Sequence, residues 1–373
     1  MARIAEAVTR IPSFYDRGGD DKRQRSHWWI ATLVLLVASG FRNVRLNSQQ
    51  LPFVAWSSLR NPVLSYRNWS VKDAAMAYRK GTVYVFFSAF YPDRGRVRSH
   101  VVEVSTSDFK DYSAPILMVD GADEGWSGMC SPDVQRIGGL YVMTFNSWGD
   151  KPGKPNELFY MTSADLNHWS RRKTLALNLT GTNRVIDPSI AGADGGYYLI
   201  WKEGPPRGQM RTRMAFAKTL EGPFHYVGDG YPALLLQGGK EDGLVHENYE
   251  FVHSGSHFYL LTTDYAQASS THSAAESELR WKAQGPRLYQ LKPASHWLIW
   301  FHGYRLQVPQ ETFNTVNRDN AAALYDWKQY DGYYYLIYAG VNERSSYARR
   351  GWNRLGLARS KDLVHWNVPG EKP

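Results

Sequence analysis

The sequence predicts an all-β fold, a five-bladed β-propeller of four-stranded antiparallel blades. Three observations predict it: a phrase that recurs five times, a second phrase that trails it, and an excess of aromatic residues and glycine. The first phrase is a carboxylate, a few mixed residues, a glycine and an aromatic-rich stretch. It runs from Asp73 to Gly81 and into TVYVFFS, then from Asp133 to Gly139 and into LYVMTFNS. It recurs from Asp187 to Gly196 (YYLIWK), from Glu247 to Gly255 (SHFYLLT) and at Asp331-Gly332 (YYYLIYAG). The glycines stand 58, 57, 59 and 77 residues apart, a period suited to one four-stranded sheet per repeat. The second phrase is a Ser/Thr–Asp turn followed by an aromatic: Thr106, Asp108 and Tyr112; Ser163, Asp165 and Trp169; Ser360, Asp362 and Trp366. Weaker echoes lie at Lys218–Phe224 and Ser277–Trp281. The 14 Trp, 24 Tyr, 15 Phe and 32 Gly fit short strands and tight turns better than helices.

Each unit therefore reads as an inner strand opened by the carboxylate, a glycine turn, an aromatic strand, a connection, a third strand, a polar turn and an outer strand. Tyr197 to Trp201 is almost continuously apolar, as a strand covered on both faces must be. The Ser/Thr–Asp pairs bond their own backbone to fix a turn, and the aromatic that follows packs into the seam with a neighbour. Phe53 to Leu59 is expected to close the ring by pairing with the last blade. The longest interval is expected to hold an insertion at Ser295–Thr315, a loop over the top face.

Composition and charge exclude several functions. The single cysteine, Cys130, rules out an intrachain disulfide and a Cys-based zinc site. The net charge is +9, yet the basic residues are scattered, with no unbroken cluster longer than Arg171–Lys173. No recognition-helix, zinc-finger or RNA-binding pattern accompanies them, so nucleic acid is not the expected partner. His246 to His253 lacks the i, i+4 histidine pair of a zinc-protease helix, so no metal ligand is assigned. Residues 1–50 form a polar lead containing an apolar run at 28–38, too short to span a bilayer, which takes about 20 residues. The run fits a secretory signal or a membrane tether, so a secreted or surface-held monomer is expected.

At four places the motifs resemble those of glycoside hydrolase family 43, five-bladed propellers that cleave arabinan and xylan. They are Asn61-Pro62-Val63-Leu64 with Asp73, Ser131-Pro132-Asp133-Val134, Ile186-Asp187-Pro188-Ser189-Ile190, and Glu247 ahead of Gly255. The likeness covers about residues 60 to 370. It implies that Asp73 is the general base, Glu247 the general acid, and Asp187 the carboxylate that tunes and orients the acid. It implies no required cofactor, although the family often carries a calcium ion in the central channel. The sequence departs from the family at Lys72-Asp73-Ala74, where Asp-Pro is usual, and at Glu247-Asn248-Tyr249, where Glu-Gly-Pro is usual. No counterpart of the family's fifth-blade histidine precedes Asp331.

Physical chemistry points to the same three acids. Inner strands of a propeller converge on the channel, so Asp73, Asp187 and Glu247, from the first, third and fourth repeats, are expected to face one another. Asp133 opens a repeat too and is read as structural. Inverting hydrolysis needs one ionised and one protonated carboxyl about 6.5–9.5 Å apart, and a third nearby carboxylate helps the acid keep its proton. Trp69, Phe90, Trp126, Trp148 and Trp201 are candidate stacking platforms for a sugar, and Arg184 and Arg305 candidate partners for its hydroxyls. The expected partner is an oligo- or polysaccharide of arabinose or xylose. The alternatives are a carbohydrate-binding ring without turnover and a retaining, fructan-cleaving relative with Asp73 as nucleophile.

Overall fold

The computed structural model describes residues 54–149, 156–205, 210–243, 245–265, 285–343 and 348–370. The apolar run at 28–38, the boundary at residue 50, Phe53 and the echo at Ser277–Trp281 lie outside the described residues. Among the described residues, no helix is long and apolar enough to cross a membrane.

The described chain is mostly β. Its first strands are β1 (Ser70–Arg79), β2 (Thr82–Asp93), β3 (Arg96–Thr106) and β4 (Leu117–Val119). Next come β5 (Gly128–Ile137), β6 (Leu140–Trp148), β7 (Leu158–Ser163) and β8 (Lys173–Thr174), then β9 (Arg184–Ala193), β10 (Gly196–Gly204), β11 (Arg211–Ala217) and β12 (His225–Tyr226). A longer set follows: β13 (Ala233–Leu236), β14 (Val245–Ser254), β15 (His257–Tyr265), β16 (Gly285–Leu291) and β17 (Ile299–Arg305). The chain finishes with β18 (Asn317–Asp326), β19 (Tyr334–Val341), β20 (Arg354–Ser360) and β21 (Trp366–Asn367). These strands form four hydrogen-bonded sheets, because the first two sets join through one parallel pairing of Ser99 with Gly128. Gly128 is required there: a β-carbon on it would lie 2.1 Å from the Ser99 carbonyl oxygen.

The apolar residues of β2 explain how the sets pack. Val83, Val85, Phe87 and Ala89 enter one core cluster, while Tyr84 and Phe86 enter the next. Alternate side chains of a strand point to opposite faces, so a strand buried on both sides feeds two seams. Strand β10 repeats the arrangement, with Leu199 and Trp201 on one side and Tyr198 and Ile200 on the other. Among the described residues the core accordingly falls into five clusters, each between successive sets, and one of them joins β19 and β20 to β1 and β2. The inner strands pack in a circle: β1 on β5, β5 on β9, β9 on β14, β14 on β18, and β18 on β1.

The polar turns form as their sequences dictate. The Ser163 hydroxyl accepts from the Leu166 N–H at 2.8 Å, and Asp165 Oδ1 from the N–H groups of Asn167 and His168 at 3.0 and 2.9 Å. Thr106 with Asp108, and Ser360 with Asp362, make the same bonds. Trp169, the aromatic that follows, crosses to the preceding set, where its ring meets Phe86 edge-on and its indole N–H donates to Glu103 at 2.8 Å.

Two expectations about the path of the chain are corrected. Trp56–Ser58 is a 3-10 turn that sets Trp56 into the core, and the pairing that ties the start of the chain to the last set falls later, as a bridge between Leu64 and Leu355. The Asn61 side chain reinforces it, accepting from the Leu357 N–H at 2.9 Å and donating to the Leu357 carbonyl at 3.0 Å. The segment at 295–315 is not a surface loop. It supplies β17, which pairs with both β16 and β13, and Leu306, Val308 and Phe313 then enter the core.

Candidate active site

Each inner strand carries an irregularity at the same place, and β18 has a second, between Asn317 and Asn320. The register slips between Lys72 and Ala75, Cys130 and Asp133, Glu247 and Glu250, and Asn320 and Ala323, and β9 slips between Ile186 and Ser189. An extra residue in one strand bends it and re-aims its side chains. Each bulge contains a left-handed residue: Asp73 (φ 52°), Ser131 (φ 56°), Asp187 (φ 57°), Asn248 (φ 53°) and Ala321 (φ 47°). Asp and Asn tolerate this conformation better than most side chains. All five residues line one depression.

This register corrects the alignment by carboxylates. Asp73 and Asp187 are equivalent, and Asn248 is their counterpart in β14. Glu247 lies one position earlier, matching Lys72, whereas Asp133 lies two positions later, matching Glu250. Asp331 is not on an inner strand at all. It ends a helical turn between β18 and β19 and accepts from the Tyr335 hydroxyl and the Tyr333 N–H.

The three acids nevertheless meet. Asn248 joins two of them: its side-chain Nδ2 donates to Asp73 Oδ1 at 3.0 Å, and its backbone N–H donates to Asp187 Oδ2 at 3.2 Å. The Asp187 N–H donates in turn to Asn146 Oδ1 at 2.9 Å, which fixes the bulge to the preceding set. Lys72 Nζ sits 3.2 Å from Asp73 Oδ1. Asp73 Oδ2 and Asn248 Oδ1 are buried and have no hydrogen-bond partner among the described residues. Glu247 is held differently: its Oε2 accepts from Lys202 Nζ at 2.8 Å, with side-chain exposures of only 13% and 7%.

The charges divide the carboxyls. Burial, then Glu247 and Asp73, push Asp187 up to about 6 against the pull of Lys202 and the Ser131 hydroxyl. Burial also opposes the charge of Glu247, but Lys202, Lys72 and Arg184 outweigh it and hold this carboxyl below its ordinary range. Burial likewise opposes the charge of Lys72, and Asp73, Glu247 and Asp187 together hold its ammonium above its ordinary range. In the same depression Asp133 is pushed up to about 7 by burial, and burial followed by Asp133 raises Glu250.

The residues expected to contact sugar fare unequally. Trp126 (2% exposed) and Trp201 (0%) are corrected to core residues, packed in seams and offering no face to a ligand. Phe90 is also buried; it lies beneath Lys72, 6.0 Å from Nζ to ring centroid, and meets the half-buried Trp148 edge-on at 5.1 Å. Trp69 packs on Tyr66 at the margin of a core cluster. Arg184 opens β9, half-buried, and makes no hydrogen bond or ion pair with any described residue. Arg305 is committed to Asp264, which also binds Arg287 at 2.7 Å. Among the described residues no three His, Cys, Asp or Glu side chains converge as an ion cage, and Ala321 stands at the fifth bulge, so no step is derived through calcium.

Sequence reasoning missed Lys72, Lys202, Asn248 and Asn146. Lys72 and Asn248 flank the assigned acids directly. Lys202 ends the apolar run of β10, where a cation closing a doubly covered strand was the available signal.

No protein-family model matches the chain, and no curated protein matches it. Solved structures match its fold. One is from the GH130 family of mannoside phosphorylases, which contains glycoside hydrolases that target β-1,2 mannosidic linkages in Candida mannan. It is 15% identical with a TM-score of 0.55, over 83% of this chain and 95% of its own. An α-L-arabinanase of Cellvibrio cellulosa is 14% identical with a TM-score of 0.52, over 80% of this chain and 95% of its own. The GH43B protein of the Bacteroides ovatus xyloglucan locus is 15% identical with a TM-score of 0.51, over 83% of this chain and 56% of its own. The likeness is one of fold: the chain has a scaffold similar to that of the GH43-like propellers.

Proposed function

We propose that this protein is a glycoside hydrolase on a five-bladed β-propeller, cleaving O-glycosidic bonds of arabinose- or xylose-type glycans by a single, inverting displacement. The observation that carries the reading is the buried Oδ2 of Asp73, which has no hydrogen-bond partner among the described residues, in a depression lined also by Asp187, which feels the charge of Glu247. A general base needs one lone pair free to accept a proton from water, while its other oxygen is fixed; Asn248 and Lys72 do the fixing. In the proposed step, water attacks the anomeric carbon and gives its proton to Asp73. The glycosidic C–O bond breaks as Glu247 transfers a proton to the leaving oxygen, yielding a hemiacetal of inverted configuration and an alcohol. Asp187 anchors the Asn248 backbone and repels the charge of Glu247, opposing the pull of Lys202 on that carboxyl. Export by way of the run at 28–38 belongs to the same proposal.

One observation favours a second reading, a sugar-binding ring without turnover: each of the two reacting carboxylates already touches a lysine. A panel of chromogenic arabinosides, xylosides, galactosides and fructosides separates the two. The hydrolase turns over at least one of them, and Asp73→Asn and Glu247→Gln lower that turnover by roughly 100- to 10,000-fold while retaining affinity for sugar. Wild-type turnover in both variants would overturn the site, and silence across the panel with intact sugar binding would favour the ring.

A further inference from the structure

Each inner strand starts near its bulge and ends in a hairpin, so the hairpin turns lie at the end of the ring opposite the depression. At that far end the β1–β2 and β5–β6 hairpins border a cleft lined by Arg79, Lys80 and Arg136 together with Tyr78, Tyr141 and Tyr330. None of the described residues that line it is acidic. The side chains of the three cations make no hydrogen bond or ion pair with any described residue; Arg136 lies over the Tyr141 ring, 5.8 Å from its centroid. Asp165, beside the lining residue Ala164, is engaged by the N–H groups of its own turn and by the His168 ring at 2.9 Å. Leu140, at the tip of the β5–β6 hairpin, is 44% exposed. Like charges gathered without counter-charges repel one another unless a partner brings the opposite sign.

The described chain also enters the ring at this end. Trp56 meets Tyr335, at the start of β19, edge-on at 6.1 Å, with Arg359 over its ring at 4.3 Å, whereas Leu64 has already reached Leu355 at the start of β20. A file of rings joins this entry to the cleft: Tyr335 to Trp327 at 5.5 Å, Trp327 to Tyr78 at 6.1 Å, and Tyr78 to Tyr330 at 4.6 Å. We infer that this far face docks on an anionic phospholipid membrane, with Arg79, Lys80 and Arg136 against the headgroup phosphates and the depression turned away from the bilayer. Tyrosine and tryptophan favour the membrane–water interface, and every Lys or Arg near an anionic leaflet adds attraction. The sequence ahead of Val54 holds the apolar run at 28–38, too short to span a bilayer. A weak apolar attachment becomes stable when a basic patch supplies a second one.

Flotation of the full chain with vesicles tests this, comparing phosphatidylcholine alone with phosphatidylcholine mixed with phosphatidylglycerol. Comparing the two lipids cancels whatever the apolar run contributes by itself. We expect the mixed vesicles to hold the chain about 100-fold more tightly, since each of three cations near the surface adds about fivefold. Arg79→Gln, Lys80→Gln and Arg136→Gln together should remove most of that advantage. Lys80→Gln alone, at an exposed turn, should cost about fivefold and guards against a folding defect in the triple variant. Arg67→Gln, Arg94→Gln and Arg96→Gln remove the same charge from exposed positions at the catalytic end and should leave the advantage in place. Equal loss in the two triple variants would trace binding to net charge and overturn the inference, as would an advantage that survives the far-end variant. Displacement of the vesicles by inorganic phosphate at matched phosphate concentration would make the cleft a pocket for a free anion. Tighter binding to soluble polygalacturonate than to the mixed vesicles would assign the face to an acidic polysaccharide. Either result would also overturn the membrane assignment. Vesicle binding is read without turnover, so it stands or falls apart from the hydrolase reading.

Discussion

Asp73 has its two oxygens in different environments: Oδ1 is held by Asn248 and Lys72, while Oδ2 is buried and has no hydrogen-bond partner among the described residues. Asn248→Ala tests whether that difference matters. It removes the bond that orients the carboxylate and leaves a left-handed alanine in its place, so kcat should fall by roughly tenfold or more with little change in KM. An equal rise in KM with unchanged kcat would place Asn248 in substrate binding instead. Lys202 gives a second prediction. Removing this cation with Lys202→Met lifts the constraint that holds Glu247 below its ordinary range, so its proton persists to higher pH. The alkaline limb of kcat/KM should move upward by about one pH unit, and an unmoved limb would mean that another group carries the acid step. The sequence made Asp73, Asp187 and Glu247 legible because acids at repeat openings are few. The lysines beside them were not, since a lysine ending a strand is ordinary until its neighbours in space are known.

At the scale of the element, the bulge in each inner strand decides the site. Counting from acid to glycine placed Asp73, Asp133, Asp187 and Glu247 in one column, but the hairpins differ in length and the count fails. Register puts Asp73, Ser131, Asp187, Asn248 and Ala321 in that column, and no spacing rule reveals a bulge. The three Ser/Thr–Asp turns were legible, because the side chains of Ser163 and Asp165, like those of their two cognates, bond to groups within three residues. Strand β17 was not, since a stretch bounded by unusual interval length reads equally as loop or strand. Gly128 is the element-scale test. A methyl group at this position meets the Ser99 backbone, so Gly128→Ala should separate β3 from β5 and destabilise the fold by about 1–3 kcal/mol. An unchanged thermal midpoint would show that the two sets do not depend on this approach.

For the whole molecule, the balance between seams and buried acids sets the response to pH. Burial pushes Glu103 up to about 8, Asp133 up to about 7 and Asp187 up to about 6. Each holds a proton in the folded chain that the unfolded chain has already released, so their contribution is full below about pH 4 and is lost as pH rises through the folded values. Urea unfolding should therefore show stability declining between about pH 5 and pH 8. Glu103 lies in a seam where the Trp169 indole donates to its Oε2, and among the described residues its Oε1 has no hydrogen-bond partner. Glu103→Gln should recover on the order of 2 kcal/mol at pH 8 and flatten the decline. An unaltered decline in this variant would move the cause elsewhere. The repeated seams were legible as a whole because doubly buried strands impose continuous apolar runs that single-faced strands cannot carry. Which aromatics fill those seams was not: Trp126 and Trp201 differ from Trp148 only in burial. In the proposed mechanism Asp73 activates water for direct displacement. Proton NMR of the first-formed sugar, on a glycoside that the wild-type protein hydrolyses, tests it most directly. The inverted anomer is predicted, and a retained anomer would contradict it by making Asp73 a nucleophile.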